Sequence, residues 1–424
     1  MIQYSIQKRE ETLENGMHVI LVRKPEYVKS LFLLAAPIGG FDNRQSVDGQ
    51  IKEHPTGCAH FLEHKMFNYK DGDVTDDFAR MQASTNAFTS YTETAYYFQT
   101  TSDVEAPLKL LLDFVENLNI TQESVDKEKG IILSEYNMYQ QNPETHLMRN
   151  TWNALYENHP LHIDILGNVE DIENMKVEDL QEFYSLNYDP SRLTLVGITG
   201  KDIDSIFEII KEHQRNVPSH ISRNVERAIK EEKEEVAQAY IREEMETSTP
   251  YVCVAYKLNY FEDVNTCLEH DLALSTTLDA MFTTMNPEFQ KWMDDRIITQ
   301  MVGAECDISP DHGFMMFYGM TEKVEEFIRI VEDTVEKIQK EPIDLTVFTS
   351  LKRRGIAQNI RSLDQYEGLA VDLIHAHLQG YDFIESLQFI ETFTPEKVLE
   401  YVKHFDFSKK IVSTIYPKTS NEAE

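Results

Sequence analysis

The sequence has few cysteines, few basic side chains and no long apolar run. Its four cysteines are scattered, without the close spacing of a redox or metal-binding pair: Cys58, Cys253, Cys267 and Cys306. We therefore expect buried free thiols and, since no signal-like segment opens the sequence, a cytoplasmic protein. No stretch of about 18 apolar residues occurs, so no membrane span is expected.

Basic residues are outnumbered by acidic ones, 40 against 73, which gives a formal net charge of -33. Binding to a nucleic-acid backbone requires a basic surface, so nucleic acid is excluded as a partner. The charge either serves solubility alone or lines an acidic cavity that attracts basic peptides. The sequence leaves both interpretations open.

The 424 residues, of which 41% are hydrophobic, suffice for two or three packed domains. Strand-like and helical patterns occur in both halves, and "SLFLLAAPIGG" in the first half resembles "PYVCVAYKLNY" in the second. We predict an α+β fold of two structurally similar domains, each a mainly antiparallel sheet faced by helices. The expected domains are residues 1–222 and 241–424, joined by the charge-dense segment 223–240, a solvated linker with some helix.

The stretch "GCAHFLEHKMF" in the first half places His60 and His64 four residues apart. On a helix these side chains share one face, about 6 Å apart along the axis, so both imidazoles can reach one Zn2+. Glu63 lies near that face but offset from it, where it can address a metal-bound water without being a ligand. A histidine pair on a helix is more often structural, and chance produces HxxEH in roughly a few per cent of such chains. The motif alone leaves both readings open.

A catalytic zinc site needs a third protein ligand. Glu128 and Glu135, in "DKEKGIILSEYNMY", are two helical turns apart on one face. Because Ile131 and Ile132 lie between them, that face is expected to turn inward, where an unpaired carboxylate is costly. Either Glu135 is a zinc ligand and Glu128 orients a histidine, or both are ordinary surface glutamates.

Three stretches together resemble the pitrilysin/insulinase family of zinc peptidases, which carries the inverted HxxEH motif: "GCAHFLEHKMF", "STNAFTSYTETAYYF" and "EKGIILSE". The intervals of 71 residues from His64 to Glu135 and 22 from His64 to Asn86 fit that family. The resemblance covers about residues 10–200. The second half matches only in length and layout and contains no HxxEH.

The resemblance implies a pitrilysin- and processing-peptidase-like fold with one zinc ion per chain. The implied zinc ligands are His60, His64 and Glu135. Glu63 would be the general base toward the zinc-bound water, and Glu128 would support a ligating histidine. The sequence spacing alone does not establish these roles.

The family also implies how substrate is held. Asn86 and Ala87 would lie on an edge strand that binds the substrate backbone by strand addition. Larger members add an arginine and a tyrosine seven residues apart in the second half. In those members the pair holds the substrate near the zinc. Here Arg296 is followed at that spacing by Gly303, and the next tyrosine is Tyr318, so this arginine–tyrosine pair is expected to be missing.

The implied activity is that of a zinc metalloendopeptidase acting on short or unfolded peptides. Short members of the family close a chamber from two chains, so we expect a second homologous subunit that lacks HxxEH, or a homodimer. The enzyme would be a general peptide scavenger or a dedicated processing peptidase for a ribosomal peptide precursor. The competing class is a non-catalytic or accessory subunit of a peptidase-like or protein-modification complex. Members that lose catalysis usually lose HxxEH residues, and all of them are present here.

Overall fold

A computed structural model describes residues 4–70, 72–219 and 223–418. The strands of its first half are β1 Gln7–Thr12, β2 His18–Arg23, β3 Ser30–Ala36, β4 Arg44–Val47, β5 Gln50–Glu53, β6 Asn68–Tyr69, β7 Gly72–Asp73, β8 Ala83–Thr89, β9 Thr94–Thr100 and β10 Thr194–Thr199. The helices of this half are α1 Cys58–Met66, α2 Val74–Arg80, α3 Glu105–Val115, α4 Gln122–Tyr139, α5 Pro143–Leu155, α6 Val169–Asn174, α7 Val177–Asn187 and α8 Ile203–Gln214.

The second half repeats this mixture of elements. Its strands are β11 Val225–Arg227, β12 Tyr240–Met245, β13 Tyr251–Lys257, β14 Val302–Ser309, β15 His312–Met320 and β16 Lys410–Pro417. Its helices are α9 Val264–Met281, α10 Pro287–Asp294, α11 Val324–Ile338, α12 Leu345–Ser362, α13 Tyr366–Gln379, α14 Phe383–Ser386, α15 Phe389–Thr392 and α16 Pro395–Val402.

The two large sheets share one design. The first has the order β1-β2-β10-β3-β9-β8, and only its β2–β10 pair is parallel. The second has the order β12-β16-β13-β15-β14, and only its β12–β16 pair is parallel. The central strands β3 and β13 are buried at every residue, as their unbroken apolar runs predict. The predicted α+β fold with two similar, mainly antiparallel halves is confirmed.

Each sheet is covered on its two faces by helices from different parts of the chain. One core lies between the first sheet and its own helices, among them α1, α3 and α8. The opposite face of this sheet packs against α13 from the second half, and α5 from the first half packs against the second sheet. The halves are therefore tied together by an exchange of helices.

The segment 223–240 differs from the expected solvated linker with some helix. It contains the short strand β11, which pairs with β4, and no helix among its described residues. The buried Lys257 ammonium binds the backbone carbonyls of Lys233 and Glu235, groups that a helix would use internally. The Glu232 carboxylate also binds Lys257, at 2.9 Å. These contacts hold the segment extended; the proposed domain boundaries themselves stay a prediction.

No helix in the described ranges is long and apolar enough to cross a membrane.

Candidate metal centre

Helix α1 starts from a close contact between two loops. Gly57, its N-cap residue, has a φ of 81° in the left-handed region, and a Cβ there would lie 2.2 Å from the carbonyl oxygen of Leu166. Only glycine fits this position. From this start α1 buries Phe61 and Leu62 in the first core, while His60, His64 and Lys65 approach carboxylates of α4.

The structure brings His60, His64 and Glu135 together. The Nε2 atoms of His60 and His64 lie 3.8 and 3.6 Å from Glu135 Oε2. These distances are too long for hydrogen bonds but close to the ~3.3 Å that separates tetrahedral ligands with ~2.0 Å zinc bonds. One donor atom of each residue lies within 4.8 Å of the others. Two imidazoles and a carboxylate fit zinc; their assignment as ligands stays a prediction.

The protonation of the two histidines differs because their surroundings differ. Burial, reinforced by the neighbouring His64, lowers the pKa of His60 to about 4, so this imidazole is neutral near pH 7 as a metal ligand must be. Burial opposes protonation of His64 too, but the hydrogen bond to Glu128 and the surrounding carboxylates raise its pKa. A bound cation would replace this proton as the positive charge that balances the surrounding carboxylates.

Glu128 supports the centre from behind. Its Oε1 lies 3.2 Å from His64 Nδ1, which leaves Nε2 directed toward Glu135. Its Oε2 accepts a hydrogen bond from Lys65 Nζ at 3.0 Å. Burial opposes ionisation of Glu128, but these two donors outweigh it and lower its pKa. This is the carboxylate–histidine arrangement that fixes the orientation of metal-binding imidazoles.

Glu63 lies beside the histidines and is held by a residue outside the predicted site. Thr89 Oγ1 donates a hydrogen bond to Glu63 Oε2 at 2.7 Å. Burial raises the pKa of Glu63, and the hydrogen bond from Thr89 and the proximity of His64 offset this only in part. Thr89 is the last residue of "NAFT", the strand motif that carries Asn86, so its position in the motif was the available signal.

The strand that carries Asn86 and Ala87 is an edge strand. β8 pairs with β9 on one side and ends the order of the first sheet on the other. Asn86 is exposed, and its side-chain oxygen accepts a hydrogen bond from the Ala87 N–H. β8 packs against α1 and ends at the threonine that binds Glu63. The edge position agrees with the strand-addition hypothesis, whereas contact with substrate stays a prediction.

The face of α4 that carries Glu135 is more open than its sequence predicts. Ile132 is fully buried, but Ile131 is 51% exposed, so only one of the two isoleucines turns inward. The Glu135 side chain is partly exposed. Ile131 and Ile132 lie about 100° apart around α4, and only the Ile132 side of the helix packs on the first core. The opening leaves the candidate centre accessible from solvent.

Comparison with known proteins identifies the family. Residues 48–169 match the profile described as insulinase (peptidase family M16), and residues 174–354 match the profile described as the peptidase M16 inactive domain. Together the two profiles cover more than two thirds of the chain. The chain belongs to peptidase family M16. The resemblance inferred from HxxEH is confirmed, and the profile called inactive covers the half without this motif.

Known proteins match the chain along nearly its whole length. The uncharacterized zinc protease YmfH of Bacillus subtilis is 29% identical over 417 residues, 96% of each chain. The crystal structure of a protein described as an M16-like peptidase from Alicyclobacillus acidocaldarius is 28% identical, with a TM-score of 0.93 over 98% of this chain and 100% of that one. Pitrilysin shares the fold, with a TM-score of 0.75 and 18% identity, but the match spans only 45% of the pitrilysin chain.

Gly303 stands where the family resemblance predicts a tyrosine. Gly303 on β14 pairs with Tyr318 on β15, and a Cβ at Gly303 would lie 2.6 Å from the Tyr318 hydroxyl oxygen. The phenol therefore fills the space that a side chain at position 303 would use. Arg296, seven residues earlier, is exposed and has a φ of 56°.

Proposed function

We propose that the chain is a zinc metalloendopeptidase that hydrolyses peptide bonds of short or unfolded peptides. The observation that carries the proposal is the convergence of His60 and His64 Nε2 on Glu135 Oε2, with the half-buried Glu63 carboxylate beside His64. Membership of family M16 and the zinc-protease names of its relatives support the same chemistry.

His60, His64 and Glu135 would hold the ion. Zinc in such a site supplies Lewis acidity to the scissile carbonyl and to the attacking water. Glu63 accepts the proton of that water and passes it to the leaving amine, while Thr89 keeps the carboxylate in place. The raised pKa of Glu63 makes it a stronger base than an exposed glutamate.

The substrate backbone would pair with the free edge of β8 at Asn86 and Ala87. Main-chain pairing makes few demands on side chains, but it requires an extended segment, which a folded protein does not offer. The partner in this proposal is a second homologous subunit that lacks HxxEH, or a second copy of the chain, working in the cytoplasm. The open face of α4 supports a site that a second chain completes.

An accessory, non-catalytic subunit is the alternative. It is disfavoured because every residue of the motif is present and brought together. The decisive test incubates zinc-loaded chain, alone and with candidate partner chains, with unstructured quenched peptides and with a folded protein, and identifies products by mass spectrometry. The proposal expects cleavage of the peptides only, loss of cleavage with a chelator and recovery with zinc. Binding of no zinc and cleavage of no peptide in any combination would establish the accessory role.

A further inference from the structure

The loop 90–93 joins β8 to β9 directly after Thr89, the residue whose hydroxyl binds the candidate base. Thr89 pairs with Thr94, so the two ends of the loop lie side by side in the first sheet. The loop also closes on itself, because the Ser90 N–H donates to the Glu93 carbonyl at 2.8 Å. A shift of this loop therefore moves Thr89 as well.

The loop 90–93 is held differently on its two sides. On the side of the first half, the Gly40 and Phe41 N–H groups donate to the Ser90 and Tyr91 carbonyls, each at 2.9 Å. On the other side the loop borders a cavity of about 370 Å3, which α9, the β14–β15 hairpin and α13 of the second half also line. A cavity supplies no packing contacts, so side chains that reach the loop from outside the first sheet are needed to fix this side.

Glu93 makes such a contact with the second half. It is 2% exposed, and its Oε1 lies 2.7 Å from Nε2 of His375 on α13. Burial opposes ionisation of Glu93, but the hydrogen bond and the charge of His375 outweigh it and lower its pKa. The hydrogen bond to Glu93 raises the pKa of His375, although burial opposes this. Each residue thus stabilises the charged form of the other.

A second cation reaches the loop from the segment that joins the halves. Arg227 Nη2 donates to the Thr92 carbonyl at 3.2 Å and to Asp42 Oδ2 at 2.8 Å. Loss of Arg227 would disturb both acceptors, whereas the bond of His375 goes to the loop itself. His375 is therefore the better residue for a test.

We propose that His375, in the half without HxxEH, positions the base of the peptidase by holding Glu93 and its loop. The loop in turn fixes the Thr89 hydroxyl against the base. The inference rests on the proposed peptidase function and assigns the second half a part in it. Because a small misplacement of a catalytic group lowers the rate more than it weakens substrate binding, His375→Leu should reduce kcat about three- to tenfold and leave KM and zinc content unchanged.

Two further substitutions on α13 separate this role from general damage to the fold. His375→Gln keeps an N–H donor near the position of Nε2 and should restore most of the lost kcat. His377→Leu is the matched control, because His377 is exposed on the same helix and stacks on His18 of β2 instead. It should change neither kcat nor KM. If His375→Leu does not fold, His375→Asn takes its place, since its shorter amide does not reach Glu93.

A double variant shows whether His375 acts through Thr89. Once Thr89→Val has removed the hydroxyl, the addition of His375→Leu should lower kcat no further. Amide hydrogen exchange, followed by mass spectrometry on the zinc-loaded chain without substrate, reports the order of the loop directly. Exchange at residues 89–93 should be faster in His375→Leu than in wild type and unchanged in His377→Leu.

The outcomes distinguish this inference from the proposed function. Faster exchange at residues 89–93 in a His375→Leu chain, when even wild type cleaves nothing, would leave the positioning of Thr89 standing and overturn the peptidase. Cleavage with the same kcat in wild type and His375→Leu would overturn the inference and leave the peptidase standing. Effects of His375→Leu and Thr89→Val that multiply in the double variant would also overturn the inference, because His375 would then act independently of Thr89.

Discussion

The Lys65 ammonium lies 3.0 Å from Glu128 Oε2, and Lys65 is only 2% exposed. The other oxygen of the same carboxylate lies 3.2 Å from His64 Nδ1. One glutamate therefore neutralises a buried cation and orients an imidazole of the candidate centre. We predict that stability and metal affinity both depend on Glu128 and that substitutions separate the two.

Glu128→Gln should weaken both properties. Loss of the charged acceptor for His64 should reduce zinc affinity about 10- to 100-fold, which a competing chelator measures. Lys65 is left buried beside a neutral amide, so the free energy of unfolding should fall by about 3 kcal/mol, measured by urea denaturation.

The matched control is Glu128→Gln combined with Lys65→Met. Removal of the buried ammonium should restore most of the lost free energy of unfolding, while zinc affinity stays low. Recovery of zinc affinity together with stability would show that Glu128 acts only through the fold.

Thr89→Val should reduce kcat about tenfold with little effect on KM. The substitution keeps the shape of the side chain but removes the hydroxyl that donates to Glu63 at 2.7 Å, so the base loses its fixed position. Thr85→Val is the control, because Thr85 lies on the same strand and donates to the Tyr97 carbonyl instead. Equal effects of the two substitutions on kcat would argue against a role of Thr89 in the reaction.

A buried histidine between two aspartates should make stability depend on pH. His312 Nδ1 lies 2.6 Å from Asp311 and its Nε2 lies 3.2 Å from Asp307, with His159 adjacent. Burial opposes protonation, but the two carboxylates outweigh it and raise the pKa of His312 from 6.5 to about 9. Because the folded pKa exceeds the unfolded value, this contribution is fully present below pH 6.5 and is lost as the pH rises through about 9.

His312→Asn should therefore destabilise the protein more in mildly acidic solution than in alkaline solution. The difference between wild type and variant in the free energy of unfolding should be about 3 kcal/mol larger at pH 6 than at pH 10. Urea denaturation at both values measures it. A difference independent of pH would show that His312 is not held protonated.

Local patterns made part of the site predictable. The spacings of His60 to His64 and of Glu128 to Glu135 follow the helical period, so the sequence alone places each pair on one helix face. Threonine is a favoured N-cap residue, and the Thr121 hydroxyl accepts the Ser124 N–H at the start of α4. The same reasoning failed for Ile131, because it lies about 100° around α4 from the buried Ile132, on a side of the helix that no other element covers completely.

Contacts between distant parts of the chain were not predictable. Sequence alternation marks β8 as a strand but does not reveal that it forms an edge. Nothing local indicates that Lys65, next to the motif, is neutralised by Glu128, or that α13 covers the first sheet. The charged segment 223–240 favours a helix by composition, yet Lys257 from β13 takes its carbonyl groups. In each case a contact with residues distant in the sequence determines the local structure.

The role of Glu63 is the most direct test of the central claim. Zinc content and peptide cleavage are measured on wild type and Glu63→Gln, each with its partner chain where one is required. We expect one zinc per chain in both proteins and a fall in kcat of about 100- to 10,000-fold in the variant, as for loss of a general base. Undiminished cleavage by a folded, zinc-loaded Glu63→Gln chain would contradict the account.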